Sequence, residues 1–314
     1  MSQSPPTPST TSSVKLTDFR LQHRLRVRWS EVDMQKVVFN PHYLTYFDIA
    51  VTQYWRELAL PYELTLRELE GDLFVKKASL EYNGSAHFDE TLSVCLRCER
   101  VGNSSMSFKG AIFRDSKALI LAEIVYVFVH AVQKVPKPIP AQMKSLLTRY
   151  EAGEEITSLR LGTWKELRAD ALGIRQEVFV REQGVPNDME EDELDENSEH
   201  VVLYNALSLP IATARLITSS VVTSEGPSIA PSHGVSNSTC KIGRMAVRRD
   251  LRGTHWGSKV LTALESVARE RHVKNLSLHA QMQAQGFYTK HNYVTHGEPF
   301  EEAGILHIEM QKVL

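Results

Sequence analysis

The chain has 314 residues, about twice the ~150 of a typical domain, so two domains are expected. Apolar residues supply 42% and charged residues 24%, which excludes collagen-like, wholly disordered and low-complexity classes; no apolar run approaches the ~18 residues that span a bilayer, so no membrane partner is expected. A formal net charge of −2 offers no basic field for phosphate backbones, so no nucleic-acid partner is expected either.

Residues 2–13, SQSPPTPSTTSS, lack both the apolar core of a signal peptide and the arginines of a transit peptide. A disordered tail is expected over 1–17, and a cytoplasmic location for the chain. Leu25, Val27 and Trp29 alternate with Arg24, Arg26 and Arg28, the period-two pattern of a half-buried strand. From Asn40 the period changes. In NPHYLTYFDIAVTQYWREL, Asn40 suits an N-cap and Pro41 the first helical position, while Tyr43, Phe47, Ala50, Val51, Tyr54 and Leu58 recur at helical spacing, predicting one long helix with a wide apolar face.

Four strand-like segments follow, at 73–82, 91–101, 105–114 and 118–131, and their short connections favour antiparallel neighbours. Cys95 and Cys98 stand at C-x-x-C spacing. On a strand, odd spacing sends their side chains to opposite faces, so no zinc site or redox pair is expected, and no other metal. One strand, one long helix and four more strands predict an α+β domain over 18–140, an antiparallel sheet wrapped around the helix.

KVPKPIP, from Lys134, interrupts regular pairing, and a short charged helix, QMKSLLTRYEAGEE, follows; 141–157 is read as a linker. Over 158–314 the pattern alternates: a helix at 163–183, strands near 200–205, 210–218 and 241–247, a helix at 257–271, a strand at 275–280, a short helix at 282–290 and a strand at 305–313. This predicts an α/β domain, a mixed sheet with helices on both faces. Ser219 to Thr239, rich in Ser, Gly and Pro, reads as a surface loop.

Chemistry concentrates at two places. In RVRWSEVDMQKVVFNPHYLTYFDIA, Asp33 lies in a loop just before a helix N-terminus, where unpaired N–H groups and the helix dipole can stabilise an oxyanion while a carboxylate activates water or attacks a carbonyl. The residues alone leave Asp33 equally open to a plain loop role or to pairing with Arg26 or Arg28. In KIGRMAVRRDLRGTHWGSKVLTALESVA a short strand runs through a glycine-bounded turn into an amphipathic helix, a geometry that can present N–H groups to a pyrophosphate.

The first segment resembles the signature of hotdog-fold acyl-CoA thioesterases of the 4-hydroxybenzoyl-CoA thioesterase superfamily: a carboxylate, a short turn, two apolar residues, then N/H-x-x-Y-L-x-Y-F-[DE] opening the central helix. The resemblance covers about residues 20–140. It implies that Asp33 is the catalytic carboxylate and that the backbone N–H of Asn40 binds the thioester oxygen, with Glu31 as a back-up carboxylate. Lys36 stands where many members have glycine. There is no G-x-S-x-G, which disfavours a serine-elbow thioesterase, and Val38 stands where hotdog hydratases have histidine. His42 reads as a packing or surface residue, and Tyr43, Tyr46 and Tyr54, at helical spacing, read mostly as core.

Residues 159–314 resemble the GNAT acyltransferase superfamily. Its R/Q-x-x-G-x-[GA] turn matches Arg252 and Gly257, which implies that Arg252, Gly253, Thr254, Gly257 and Ser258 hold the CoA pyrophosphate, and that Met245, Ala246 and Val247 lie on the strand that pairs with pantetheine. His255 replaces the usual middle glycine. LHAQMQAQGFYTKHNYVTHGEPFEEAGILHIEM resembles a GNAT subgroup with A-Q-x-x-A-x-x-F-Y-x-K-x-G-[FY] and E-A-G-I-x-H-x-x-M motifs. It places Tyr288 where a tyrosine protonates the departing CoA thiolate, Tyr288 otherwise being an aromatic packed beside Phe287; Asn292 stands where glycine is common. IRQEVFVREQGVPNDMEEDELDENSEHVV matches the subgroup's opening helix and acidic loop. The acidic residues from Asp188 to Glu199 read either as a solvated loop or as a wall for a cationic amine, with Glu177 and Glu182 as further acceptor-side candidates.

Together the resemblances imply a bifunctional CoA-thioester enzyme that hydrolyses acyl-CoA in its first half and transfers an acyl group, expected to be acetyl, to a primary amine in its second. Acyl-CoA or acetyl-CoA enters as substrate, and no cofactor is held tightly. A homodimer or homotetramer through the hotdog domain is expected. Two alternatives stay open: a thioesterase regulated by a non-catalytic acyl-CoA-sensing GNAT module, and a GNAT transferase oligomerised by an inactive hotdog scaffold.

Overall fold

A computed structural model describes residues 14–218 and 239–314, together with the antiparallel pair at 222–223 and 226–227. Most of the expected N-terminal tail, 1–13, and nearly all of the expected loop from Ser219 to Thr239 lie outside the described residues. Residues 14–17 are ordered: Leu16 opens a 3-10 turn and packs with Val14 against the Phe19, Cys95 and Phe113 cluster. The chain divides into two compact units: the first runs to Leu58 and resumes over Tyr62–Glu155, and the second takes Ala59–Pro61 with Ile156–Leu314.

The first unit has the expected antiparallel sheet packed on one long helix. Strand β1 (Leu21–Arg26) leads to helix α1 (Pro41–Glu57), a short helix α2 (Tyr62–Glu68), and strands β2 (Gly71–Tyr82), β3 (Thr91–Val101), β4 (Ser105–Arg114) and β5 (Lys117–His130). The sheet order is β1-β3-β4-β5-β2, antiparallel throughout. The alternating stripe read from the sequence breaks after Arg26: Val27 is buried, but Trp29 sits in a 3-10 turn at 75% exposure, so the strand is shorter than its pattern. Helix α2 was not expected.

Helix α1 buries Tyr43, Tyr46, Phe47, Ala50 and Tyr54, as its spacing predicts. The sheet closes on it at Gly110 in β4, where a Cβ would stand 2.5 Å from the Phe47 ring; only glycine lets the two approach so closely. Cys95 and Cys98 in β3 are buried on opposite faces, and burial pushes both thiols up to about 12. The segment read as a linker, 141–157, is for most of its length helix α3 (Ala141–Glu151), which buries Met143, Leu146, Leu147 and Tyr150. Its last residue, Glu151, accepts from the Tyr54 hydroxyl at 2.5 Å and from the Cys98 amide at 2.8 Å, so α3 is part of the first unit.

The second unit has the mixed sheet with helices on both faces that its alternation predicts. It comprises β6 (Ser158–Gly162), α4 (Trp164–Arg175), a π-helical continuation (Gln176–Glu182), β7 (Ser198–Tyr204), β8 (Pro210–Thr218), the short β9 (Val222–Thr223) and β10 (Gly226–Pro227), β11 (Thr239–Val247), α5 (Trp256–Glu270), β12 (Asn275–Gln281), α6 (Gln285–Lys290), β13 (Val294–Glu302) and β14 (Ile305–Val313). The seven-stranded sheet runs β13-β14-β12-β11-β8-β7-β6, and of its pairs β11 with β12 is parallel. Helix α5 packs on one face over Leu216, Ile242 and Leu278; α4 packs on the other over Val202 and Ala246. Strands β6 and β13 escaped the reading because β6 has only five residues and β13 is almost wholly exposed.

Candidate active sites

In the first unit the chain makes a small hairpin before α1. Val32 bridges Val38, the Asp33 amide donates to Val37 O at 2.9 Å, and the Lys36 amide donates to Asp33 O at 2.9 Å. Three-residue loops of this kind put their last residue in the left-handed region, and Lys36 has φ +63°. The requirement explains a family preference for glycine at this position. It also yields a prediction: Lys36→Gly should raise unfolding stability by roughly 0.5–1 kcal/mol in denaturant titrations, relief of left-handed strain offset partly by chain entropy, with the fold unchanged.

Within that hairpin Oδ1 of Asp33 accepts from the Gln35 amide at 2.8 Å, which fixes the carboxylate over its own turn. Asp33 belongs to no ion pair among the described residues; Arg26 instead pairs with Asp89. Glu31 is differently occupied, accepting from the Tyr46 hydroxyl at 2.8 Å and from the Arg28 amide at 2.7 Å. Burial and this carboxylate together hold the Tyr46 phenol well above its ordinary range.

Asn40 differs from its expected capping role. It has helical dihedrals and makes no side-chain cap, and the first turn reaches back to Phe39, whose carbonyl accepts from the His42 amide at 2.9 Å. The Asn40 amide has no acceptor among the described residues. Asp33 and Asn40 line one open cleft of about 510 Å³ with Val37, Tyr43, Tyr82 and Gly84. His42 lies beside it, its ring edge-on to Phe39. A carboxylate and a helix-start N–H thus meet one cavity, which is what addition to a thioester carbonyl needs. Tyr82, from the edge strand β2, gave no local signal, because only the sheet brings it beside α1.

In the second unit β11 pairs in parallel with β12 only from Thr239↔Asn275 to Ile242↔Leu278. Beyond that a bulge between Gly243 and Ala246 interrupts its pairing with β8, and Arg244 sits at φ +51°. The edges of Met245, Ala246 and Val247 facing β12 therefore lie beyond the ladder. The turn after β11 is braced by Arg252, whose Nε donates to Val247 O at 3.0 Å and whose guanidinium grips Glu182 at 2.6 and 2.7 Å. That pairing holds the Glu182 carboxyl below the usual range. Arg248 likewise pairs with Glu177. Both glutamates offered as acceptor-side candidates thus tie the π-helical segment to this turn.

Gly253 has φ +78°, and the amides of Gly253, Thr254, Gly257 and Ser258 donate to no turn or loop carbonyl among the described residues. Such amides at a helix start suit a pyrophosphate. A Cβ on Gly257 would contact Phe287, Val247 and Met245 at 3.5–3.6 Å, so strand, turn and α6 converge there. The Tyr288 hydroxyl donates to the Met245 sulfur at 3.4 Å, and burial pushes this phenol up. Ser258 Oγ lies 2.8 Å from His291 Nε2. His255, with φ outside the left-handed region, sets its ring at a tilt of 48° against Trp256, the centroids 3.9 Å apart.

Asn292 has φ +66° and closes α6: its amide donates to Thr289 O at 3.0 Å and that of Tyr293 to Tyr288 O at 3.1 Å, the Schellman pattern that favours glycine. Asparagine tolerates this conformation, so the departure is a capping substitution.

The acidic stretch divides in two. Asp188, Glu191, Glu193 and Glu196 are exposed, as in a solvated loop, whereas Glu190 and Asp195 are buried among arginines. Arg175 pairs with Glu190 and, at 2.8 Å, with Asp195; Arg215 reaches Asp195 at 2.7 Å and Asp192 at 2.5 Å; Arg244 reaches Asp192 at 2.9 Å. Burial works to raise Asp195, but hydrogen bonds and charge from Arg175 and Arg215 outweigh it, and its carboxyl falls to about 2. Glu190, under similar burial with one guanidinium beside it, is raised. Arg244 also donates to Met189 O at 2.9 Å and Glu190 O at 3.1 Å, so this loop clamps the bulge residue of β11. Nothing in the acidic composition alone signalled the three arginines, which come from α4, β8 and β11.

Residues 168–314 match the Acetyltransferase (GNAT) domain and residues 35–121 the Thioesterase superfamily. The second half is 34% identical over 149 residues to a Bacillus subtilis protein described as an uncharacterized N-acetyltransferase, YjcF, covering 47% of this chain and 94% of that protein. The first half is 26% identical over 121 residues to the acyl-CoA thioesterase YbgC of Haemophilus influenzae, covering 38% and 89%. A solved 1,4-dihydroxy-2-naphthoyl-CoA thioesterase from Synechocystis is 16% identical, with a TM-score of 0.38 over 41% of this chain and 97% of its own.

Proposed function

We propose, for a chain that belongs to the GNAT acetyltransferase family by its second unit and carries a thioesterase-superfamily domain as its first, that these are two working CoA-thioester active sites. In the first, the thioester carbonyl oxygen accepts from the Asn40 amide at the start of α1. Asp33 activates water or attacks the carbonyl carbon to form an anhydride, and CoA leaves as thiolate. The observation that carries this reading is the single cleft shared by Asp33 and Asn40.

In the second, the Gly253–Ser258 turn binds the pyrophosphate and pantetheine lies along Met245–Val247, whose amides polarise the acyl carbonyl. A primary amine attacks, and Tyr288 hydrogen-bonds the departing sulfur. Its phenol, raised by burial, stays protonated throughout the working pH range. Acyl-CoA is a substrate at both sites, and no resident cofactor or metal takes part. The chain works in the cytoplasm as a homodimer or homotetramer through its hotdog domain; no described helix is long and apolar enough to cross a membrane.

The test uses the full chain. Thiol release is followed with short, medium, long and aromatic acyl-CoAs, and amine acetylation by mass spectrometry. The expected results are hydrolysis of at least one thioester and an acetylated amine whose formation Tyr288→Phe slows at least ~10²-fold, of the order of a lost acid–base group. Absence of thiol release across the panel sinks the hydrolase reading, and an undiminished Tyr288→Phe rate sinks the assigned acid.

A further inference from the structure

The subgroup motifs around Gln281, Glu302 and His307 have no part in binding CoA or protonating sulfur, yet the sheet brings them together. Gln281 pairs in register with His307, and Gln281 exchanges amide hydrogen bonds with Gln183, at the end of the π-helical segment, at 2.8 and 3.4 Å. Two residues before Gln281, on the same face of β12, His279 Nδ1 stands 2.8 Å from Glu302 Oε2, with the Phe300 ring edge-on at 4.7 Å. The Lys241 ammonium approaches the same imidazole, 3.0 Å from Nε2 and 3.2 Å from Nδ1.

The place is informative. Ile242↔Leu278 is the last pair of the β11–β12 ladder, so Lys241 and His279 flank the vertex at which the two strands part. They face away from the α5 core that takes Ile242 and Leu278. The imidazole is 30% exposed and Glu302 48%, so the pair is reachable from solvent.

We propose that His279, oriented by Glu302, is the base that takes the proton from the acceptor amine, an inference that rests on the transferase reading of the second unit. With Glu302 accepting from Nδ1–H, Nε2 keeps its lone pair. Lys241 already places one primary ammonium beside the ring, nearly equidistant from both nitrogens, so this spot accommodates a cationic amine and leaves the in-plane lone pair of Nε2 for the acceptor.

The step balances. The acceptor ammonium gives one proton to Nε2, and its lone pair attacks the thioester carbon. The C–N bond forms and the C–S bond breaks. The second nitrogen-bound proton passes to sulfur by way of the Tyr288 hydroxyl, leaving amide, CoA thiol and one proton on His279 that returns to water. Groups facing the imidazole are Lys241 from β11, Glu302 from β13, and His307 and Glu309 from β14; burial lowers Lys241, which Glu302 and Glu309 partly offset. Glu302 thus holds Nδ1–H and leaves Nε2 to face the acceptor.

The experiment measures acetyl transfer by the full chain to spermidine, tyramine, L-glutamate and kanamycin between pH 6 and 10. His279→Ala should lower kcat about 10²-fold near neutral pH with the KM for acetyl-CoA unchanged, and the deficit should shrink at high pH, where amines deprotonate unaided. Glu302→Gln should move the acid limb of kcat to lower pH while His279 remains, a shift a merely structural role does not produce. Undiminished transfer by His279→Ala, or a uniform loss in which the KM for acetyl-CoA rises equally and pH dependence is unmoved, overturns the assignment while leaving the transferase standing. A wild-type chain that acetylates none of the four probes overturns both.

Discussion

Asp33→Asn is expected to lower kcat for thioester hydrolysis at least ~10²-fold, the scale of a positioned acid–base group, with the KM for acyl-CoA and the thermal midpoint nearly unchanged. The asparagine carbonyl oxygen can still accept from the Gln35 amide, so the hairpin before α1 keeps its shape and only the negative charge is lost. Glu31→Gln is the informative companion. Glu31 already serves the Tyr46 hydroxyl and the Arg28 amide, so its replacement should cost stability and leave hydrolysis within several-fold of wild type. Hydrolysis retained by Asp33→Asn and lost by Glu31→Gln reverses the assignment. Hydrolysis retained by both makes the first unit a scaffold.

The second large effect lies in the ion-pair network of the other unit. Asp195→Asn removes the carboxylate shared by Arg175 and Arg215, both at most 4% exposed, and should destabilise the second unit by about 3–5 kcal/mol, the cost of leaving buried charge undercompensated. Denaturant unfolding of the full chain, followed by a probe in the second unit, measures it. The pH dependence has a definite sign. A carboxyl depressed to about 2 contributes stability that is complete above its unfolded value near 4 and is lost as pH falls from there toward 2. Glu190, raised by burial, works in the opposite direction, so the wild type should lose less on acidification than Asp195 alone implies. Because the same loop holds Arg244 at the β11 bulge, Asp195→Asn should also raise the KM for acetyl-CoA. A change below about 1 kcal/mol would mean that the guanidinium groups find other acceptors.

Two departures from family glycine motifs show how local demands surface in a sequence before their reason does. Lys36 and Asn292 were visible as substitutions, and each proves to occupy a left-handed backbone position, the last residue of a hairpin loop and the residue that ends α6. His255, the third departure, has no such conformation, and its ring rests on Trp256. Of the three, only Lys36 and Asn292 take the backbone conformation that glycine adopts freely.

What the sequence determined by itself was whatever depends on neighbours along the chain: the apolar stripe of α1, the four long strands of the first sheet, and the segments carrying Asp33, Asn40, Tyr288 and the glycine turn, since periodicity and turn chemistry are local. What only the tertiary structure decided was which distant groups share a cavity or a charge. Tyr82 beside α1, three arginines inside an acidic loop, α3 as part of the first unit, and Lys241, His279 and Glu302 at the parting of two strands come from sheet register and burial. Those place residues far apart in the chain within a few ångströms, and no local pattern encodes that distance.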